Sequence, residues 1–169
     1  TGSTRAGIAV AKGGADSVKR ISQELGGKSA NIIFDDDDFE ANVKRGVKGC
    51  MNNTGQSCNA PTRMLIPASR LSEGLLIGKE TCDSLITGEP SNENTDVGPQ
   101  VSDIQFGKVQ NLINQGIEEG AKLLSGGVGR PDGLDKGYYS KPTIFVNVNE
   151  EMSIFREEIF GPVLSIISY

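Results

Sequence analysis

Residues 31–66 read NIIFDDDDFEANVKRGVKGCMNNTGQSCNAPTRMLI, and this stretch decides the fold class. It opens with a short apolar strand over residues 31–34 and closes with a second strand over residues 62–66. Between them, apolar side chains recur at helical spacing and predict a helix that ends near Asn52: Phe39, Val43, Val47 and Cys50. A strand, a helix and a second strand in this order are typical of α/β folds with a largely parallel sheet.

The rest of the chain continues this alternation in both directions. Helices are predicted over residues 6–11, 71–85 and between residues 102 and 120, and strands over residues 21–25, 122–124, 143–148 and 163–168. The third of these helices begins with SDIQ, a capping box in which serine and glutamine side chains each satisfy a free backbone N–H. Four aspartates at residues 35–38 precede another helix. Because a helix N-terminus favours negative charge, we interpret them as a cap and not as a metal site.

Composition excludes several classes of function. Lys and Arg total 17 against 22 Asp and Glu, a net charge of -5, which argues against a nucleic-acid-binding face. Histidine is absent, which excludes Ser-His-Asp triads, Cys-His pairs and His-ligated metal sites. The three cysteines form no CxxC pair, so a reducing, cytoplasmic setting is favoured over a disulfide framework. No apolar run approaches the ~18 residues that a membrane helix needs.

A few segments could carry chemistry. Residues 2–7 (GSTRAG) place two glycines before a helix, where N–H groups could approach a pyrophosphate, although a plain helix cap has the same pattern. Cys58 lies in a polar, glycine-containing loop and is a candidate nucleophile, unlike Cys50 and Cys82, which fall in predicted helices. Such a thiol needs a base, and without histidine Glu24 is the leading candidate, its alternative being a solvated strand end.

A last candidate is the stretch EEIFGP at residues 157–162, immediately before a predicted strand. A carboxylate there could accept hydrogen bonds from a ribose, and Phe160 could form a wall for a planar heterocycle. The alternative is two solvated glutamates, Glu157 and Glu158, and a phenylalanine of the core.

Taken together and in this order, these segments resemble the aldehyde dehydrogenase superfamily. The matching stretches are residues 1–7 (TGSTRAG), 24–29 (ELGGKS), 55–58 (GQSC) and 157–163 (EEIFGPV). The resemblance spans the whole chain and implies a three-layer αβα sandwich, the fold of the family's catalytic domain. It also implies that residues 1–26 are the end of a dinucleotide-binding domain. Residues 27–169 would then be the catalytic domain, truncated at its C-terminal end.

The resemblance implies a mechanism as well. Cys58 is the nucleophile, which attacks the aldehyde carbonyl and forms a thiohemiacetal. This intermediate loses a hydride to NAD or NADP and becomes a thioester, and water activated by Glu24 hydrolyses it to a carboxylic acid. The backbone N–H of Cys58 would be one hydrogen-bond donor to the oxyanion.

The cofactor contacts are also implied by the resemblance: Gly2, Ser3, Gly7, Leu25, Gly26, Glu158 and Phe160. Ser3 would contact the pyrophosphate in a loop shaped by its glycines, with Leu25 and Gly26 beside the nicotinamide. Glu158 would hold the nicotinamide ribose and Phe160 would pack on the ring. No metal is implied.

The implied partner is a small-molecule aldehyde, with no nucleic acid and no membrane, and a full-length parent is expected to be a homo-oligomer. The chain lacks an initiator Met and stops within a predicted strand, so we expect an isolated fragment without aldehyde-oxidising activity. Two other interpretations stay open. One is a CoA-acylating aldehyde dehydrogenase, against which Glu24 counts, and the other is a non-catalytic fragment with residual thiol esterase activity.

Overall fold

The computed structural model describes all residues 1–169, which alternate between helices and strands. The helices are α1 (Thr4–Ala15), α2 (Phe39–Met51), α3 (Leu71–Asp83), α4 (Asp103–Glu118) and α5 (Ser153–Arg156). The strands are β1 (Ala30–Ile32), β2 (Arg63–Ile66), β3 (Lys122–Ser125), β4 (Thr143–Val146) and β5 (Val163–Ser168). No helix combines the length and the apolar character that crossing a bilayer requires.

The five strands form one sheet in the order β1-β2-β5-β4-β3. The pairs β1–β2, β2–β5 and β4–β5 are parallel, and only β3 runs antiparallel to its neighbour β4. Arg63 of β2 lies opposite both Ala30 of β1 and Ser165 of β5, so the last strand of the chain is inserted beside the second. The predicted, largely parallel sheet is confirmed.

Side chains of the central strands alternate between two cores. Ile144 and Leu164 are buried among residues of α2 and α3, whereas Phe145 and Val163 are buried among residues of α4 and α5. Alternate residues of a strand point to opposite faces of the sheet, so each face is covered by its own helices. Each fully buried side chain of this size contributes about 1.5–3 kcal/mol. The fold is therefore the predicted three-layer αβα sandwich.

The predicted strand over residues 21–25 is wrong. This segment makes a single bridge between Leu25 and Gly2 and otherwise packs along α1. A Cβ at Gly7 would lie 2.9 Å from Leu25, and one at Gly14 would lie 2.7 Å from Ile21. These glycines are two turns apart on one helix face. The apolar residues of this segment therefore alternate because they pack against the glycines of α1, and not because the segment pairs with another strand.

The predicted caps are only partly present. Ser102 accepts a hydrogen bond from the N–H of Gln105 at 3.2 Å, but the Gln105 side chain does not return to the cap. In the aspartate run, Asp38 is the N-cap residue of α2 and its side chain caps nothing. Asp36 instead accepts from the N–H of Asp38 at 3.1 Å, and Asp35 pairs with Arg70. These carboxylates therefore act in a turn and an ion pair beside the helix start.

Three adjacent parallel strands carry, at their amino ends, the segments singled out in the sequence. Residues 26–29 precede β1, Cys58 and its loop precede β2, and residues 157–162 precede β5. Because β1, β2 and β5 are neighbours with the same direction, the three segments meet at one edge of the sheet.

Candidate active site

A cavity of about 530 Å³ opens at this edge. It is lined by eight of the nine predicted site residues, which come from four separate parts of the chain: Gly2, Ser3, Glu24, Leu25, Gly26, Cys58, Glu158 and Phe160. The thiol and the carboxylate chosen as its base therefore share one cavity. The remaining wall includes Gln56, Gln105 and Lys108, which sequence reasoning did not select.

Gly7 is the one predicted site residue outside this cavity. It is buried in α1 beneath Leu25, and its carbonyl accepts a hydrogen bond from the Gln23 side chain at 2.6 Å. Its lack of a Cβ lets the segment that carries Glu24 lie close against the helix. Ser3 is the N-cap residue of α1, where its hydroxyl accepts from the N–H of Ala6 at 3.3 Å.

A second cavity of about 730 Å³ adjoins the first and shares Ser3, Gly26 and Glu158 with it. Four basic side chains line it together with two carboxylates: Arg5, Lys28, Lys108, Arg156, Glu157 and Glu158. It also borders the N-terminus of α1, where free N–H groups and the helix dipole favour an anion. The two cavities form a continuous groove with a positive end and a thiol end.

The loop that carries Cys58 begins with an unusual turn. Asn53, Thr54 and Gly55 have φ angles of 50°, 58° and 68°, so three consecutive residues are left-handed. A Cβ at Gly55 would lie 2.0 Å from the carbonyl oxygen of Gly161, which only glycine allows. The Gln56 side chain accepts from the N–H of Val101 at 2.9 Å. The loop is thus fastened on two sides, to the segment before α4 and to the segment before β5.

The three thiols differ sharply in accessibility. Cys58 is exposed, whereas Cys50 and Cys82 are buried in the core beneath α2 and α3. Burial raises the pKa of Cys50 to about 12 and that of Cys82 to about 11, so both stay protonated at neutral pH. Because the thiolate is the reactive form, Cys58 is the thiol available to an electrophile.

The Glu158 carboxylate lies directly against Gly26 and Gly27. Its Oε1 accepts from the N–H of Gly27 at 3.2 Å, and a Cβ on Gly26 would lie 1.7 Å from its Oε2. The carboxylate can therefore lie here only because residue 26 is a glycine. The backbone of Glu158 is held in addition by Lys108, whose ammonium donates to the Glu158 carbonyl at 2.6 Å.

Gln105 holds the next residues of the same segment. Its side-chain amide donates to the carbonyls of Ile159 at 2.9 Å and Phe160 at 2.8 Å. Phe160 has a φ of 55°, a left-handed conformation that a bulky residue rarely adopts, so it needs support of this kind. The glutamine of the predicted capping box thus fixes a cavity wall. Gln105 and Lys108 are three residues apart on one helix face, which brings both side chains to this segment, and no local feature of the sequence indicates it.

Lys28 connects the groove to the sheet. Burial lowers the pKa of its ammonium to about 8, and its side chain lines the second cavity. Its backbone carbonyl accepts from the guanidinium of Arg63, which also lies over the ring of Phe155 at 5.0 Å. Arg63 thereby links the segment after Glu24 to the short helix that precedes Glu158.

Comparison with known proteins gives a uniform result. The model of the aldehyde dehydrogenase family matches residues 1–169. A 3-succinoylsemialdehyde-pyridine dehydrogenase from a Pseudomonas species is 56% identical over all 169 residues, which cover 35% of its length. The chain thus spans about a third of the length of the curated relatives it matches.

Solved structures agree with this. An aldehyde dehydrogenase C mutant from Pseudomonas syringae, with a cysteine replaced by alanine and in complex with NAD+ and octanal, superposes with a TM-score of 0.96 at 49% identity. The Mycobacterium tuberculosis aldehyde dehydrogenase complexed with NAD+ gives 0.95 at 43% identity. Each superposition covers 99% of this chain and 35% of the other. With its whole length matched by the family model, this chain belongs to the aldehyde dehydrogenase family.

Proposed function

We propose that this chain carries the nucleophile and the cofactor groove of an NAD- or NADP-dependent enzyme that oxidises a small aldehyde to a carboxylic acid. The observation that carries the proposal is the shared cavity of Cys58 and Glu24. A thiol and a carboxylate that face the same space can perform the two halves of such a reaction, attack on a carbonyl and activation of water.

The groove fits a dinucleotide cofactor. The positive end beside Ser3 and the start of α1 suits a pyrophosphate. Gly26 lets the Glu158 carboxylate lie against the main chain where it lines the cavity, and there it could accept hydrogen bonds from a ribose. Phe160 supplies a ring at the thiol end. When bound, NAD or NADP would accept the hydride. Solved relatives whose complexes contain NAD+ support the choice of this cofactor class.

The residues of this chain then have distinct tasks. The Cys58 thiolate attacks the aldehyde carbon and forms a carbon–sulfur bond, while the carbonyl oxygen becomes an oxyanion. The backbone N–H of Cys58 has no acceptor within the protein and is a candidate donor to that oxyanion. After hydride loss a thioester remains on Cys58. Glu24 takes a proton from water, the resulting hydroxide adds to the thioester, and the acid leaves as the thiolate is regenerated.

Hydrolysis is favoured over transfer to CoA because Glu24 lines the cavity of the nucleophile. We assign residues 1–26 to the dinucleotide-binding part and residues 27–169 to the catalytic part. The hydrogen bond between the N–H of Gly27 and Glu158 then lies within the catalytic part, at its first residue. Three free cysteines agree with a reducing, cytoplasmic setting, and assembly into a homo-oligomer is proposed from the family alone.

The test is a chimera in which residues 1–169 replace the equivalent third of the Pseudomonas relative. We expect it to form NADH from propanal, and Cys58→Ala to abolish this activity. Glu24→Gln should keep a burst of NADH but lose at least about 10²-fold in steady turnover, because only deacylation needs the base. Turnover that survives Cys58→Ala would refute the proposed function. An unchanged turnover in Glu24→Gln would remove Glu24 from the mechanism.

A further inference from the structure

We propose that Thr54 is a positioning residue for the nucleophile: its hydroxyl holds the left-handed turn at residues 53–55, which sets the orientation of the Cys58 N–H. The inference rests on the proposed function, since it concerns how Cys58 attacks a carbonyl. The Thr54 side chain lines neither cavity of the groove.

The turn cannot be explained by local preference. Left-handed residues occur singly, because the Cβ of an L-residue crowds the following carbonyl, and here three occur in succession. Gly55 tolerates the conformation and asparagine at position 53 is among the residues that adopt it most readily. Thr54 is β-branched, and for such a residue a φ of 58° is an outlier. Strain of this kind persists only where surrounding contacts enforce it, and it is concentrated at functional sites.

One enforcing contact is a hydrogen bond of Thr54 itself, next to those that the Gln56 side chain makes with Pro99 and Val101. Thr54 is 3% exposed, and its Oγ1 donates to the carbonyl of Gly98 at 3.1 Å. Gly55 meanwhile packs on the carbonyl of Gly161. The turn is therefore held between the segment before α4 and the segment before β5, and the Thr54 hydroxyl is a side-chain donor on the first of these.

The turn is coupled to the nucleophile through the main chain. The N–H of Gln56 donates to the carbonyl of Asn53 at 3.0 Å, and the N–H of Ala60 donates to that of Ser57 at 3.1 Å. Cys58 lies within the second of these two consecutive turns and lines the cavity, yet its own N–H donates to no group of the protein. A rotation of the turn would therefore redirect this N–H.

Two reactions of Cys58 distinguish a change in the orientation of its N–H from a change in the accessibility of its thiol. With p-nitrophenyl acetate the thiolate attacks the ester carbonyl, a carbon–sulfur bond forms, and the carbon–oxygen bond breaks to release nitrophenolate. This reaction passes through an oxyanion. With iodoacetamide the thiolate displaces iodide from carbon, and no oxyanion forms. Both rates are measured as a function of pH on the chimera that tests the proposed function, with the modified residue identified by peptide mass.

The variants are chosen to isolate the hydroxyl. Thr54→Val removes it and keeps the β-branched shape, whereas Thr54→Ser keeps it. Thr54→Gly removes it but accepts the left-handed conformation without strain, so this variant stays informative if the valine variant does not fold. Thr81→Val is the matched control, because Thr81 is a buried threonine of α3 whose hydroxyl donates to the Ile77 carbonyl at 2.7 Å, away from the cavity.

A misplacement of about 1 Å can cost about 10²-fold in rate, so Thr54→Val and Thr54→Gly should lower the acetylation rate by at least about tenfold. Alkylation should keep its rate and pH midpoint, and Thr54→Ser and Thr81→Val should match the parent in both reactions. Equal acetylation in all variants would overturn the inference, as would a parallel fall of acetylation and alkylation in Thr54→Val and Thr54→Gly. If the parent chimera itself is not acetylated at Cys58, the proposed function fails instead.

Discussion

Replacing Gly26 with alanine tests how the Glu158 carboxylate is placed in the groove. The new Cβ would lie 1.7 Å from Oε2 and 2.2 Å from Cδ of Glu158, so the carboxylate must withdraw. Ordinary contact begins near 3.4 Å, which requires a displacement of more than about 1 Å. The withdrawal also breaks the bond from the N–H of Gly27 to Oε1.

The substitution should affect cofactor binding more strongly than the free energy of unfolding. A hydrogen bond to a charged group contributes about 1.5–3 kcal/mol, so loss of a ribose contact to Glu158 should weaken cofactor binding by one to two orders of magnitude, about 10- to 100-fold. Stability should change less, by about 1 kcal/mol, because a flexible side chain gives way and alanine restricts the unfolded chain. Gly27→Ala is the matched control, since a Cβ there meets only the Cys58 carbonyl at 3.8 Å.

The assay is a fluorescence titration of the chimera with NADH, with urea denaturation of each variant run in parallel. We expect weakened binding in Gly26→Ala, parental binding in Gly27→Ala, and similar unfolding free energies for both. Equal affinity of the two variants would refute the reasoning, because it would mean that the position of Glu158 does not matter to the cofactor. A loss of several kcal/mol in Gly26→Ala would show that the contact is structural.

Four further outcomes are expected. Gln105→Glu should raise the KM for NAD in the chimera about tenfold or more, because the two hydrogen bonds that Gln105 donates become repulsions. Gln115→Glu, an exposed change on the same helix, should not alter this KM. Brief treatment with iodoacetamide should label Cys58 before the two buried thiols, as peptide mapping would show; equal labelling of all three would contradict the burial argument. The unfolded chain should bind a proton at Lys28 that the folded chain lacks between the folded pKa of about 8 and the ordinary value of 10.5. The Lys28 contribution to the unfolding free energy should therefore rise by up to about 3 kcal/mol across this range, while the raised pKa values of the buried Cys50 and Cys82 thiols act in the opposite direction above pH 9. The difference in unfolding free energy between the parent and Lys28→Met in urea titrations at each pH isolates the Lys28 contribution, and a difference that does not change with pH would contradict it. The 169-residue chain should form NADH from propanal at a rate far below that of a full-length relative, because it spans only 35% of the length of such a relative. Turnover near the rate of the relative would show that the site is self-contained.

The sequence predicts those parts of the fold whose signals are local. Helix α2 was recognisable because Phe39, Val43 and Val47 repeat with the period of a helix and all three are fully buried. The strand predicted over residues 21–25 failed for the same reason. Alternating apolar residues indicate that one face of a segment packs against the protein, but they do not indicate whether a strand or a helix lies against that face.

Residues of the candidate site likewise divide into those with a local sequence signal and those without one. Cys58, Glu24 and Glu158 stand in recognisable motifs, and the cavity brings them together. Gln105 was visible only as a cap, because nothing local to residues 102–105 indicates that Ile159 and Phe160 lie within reach. Thr54 gave no signal, since its left-handed conformation depends on a carbonyl 44 positions away in the chain.

The insertion of β5 between β2 and β4 has a consequence for how the protein acquires its reactive centre. Arg63 must find Ser165, and the residues that lead into β5 are those that support the thiol loop at Gly55 and contact Gly26. Pairings between distant parts of a chain close large loops and form slowly. In refolding experiments, secondary structure should thus appear before the thiol acquires its native reactivity. A nascent chain in which β5 has not yet joined the sheet would carry Cys58 as an ordinary cysteine.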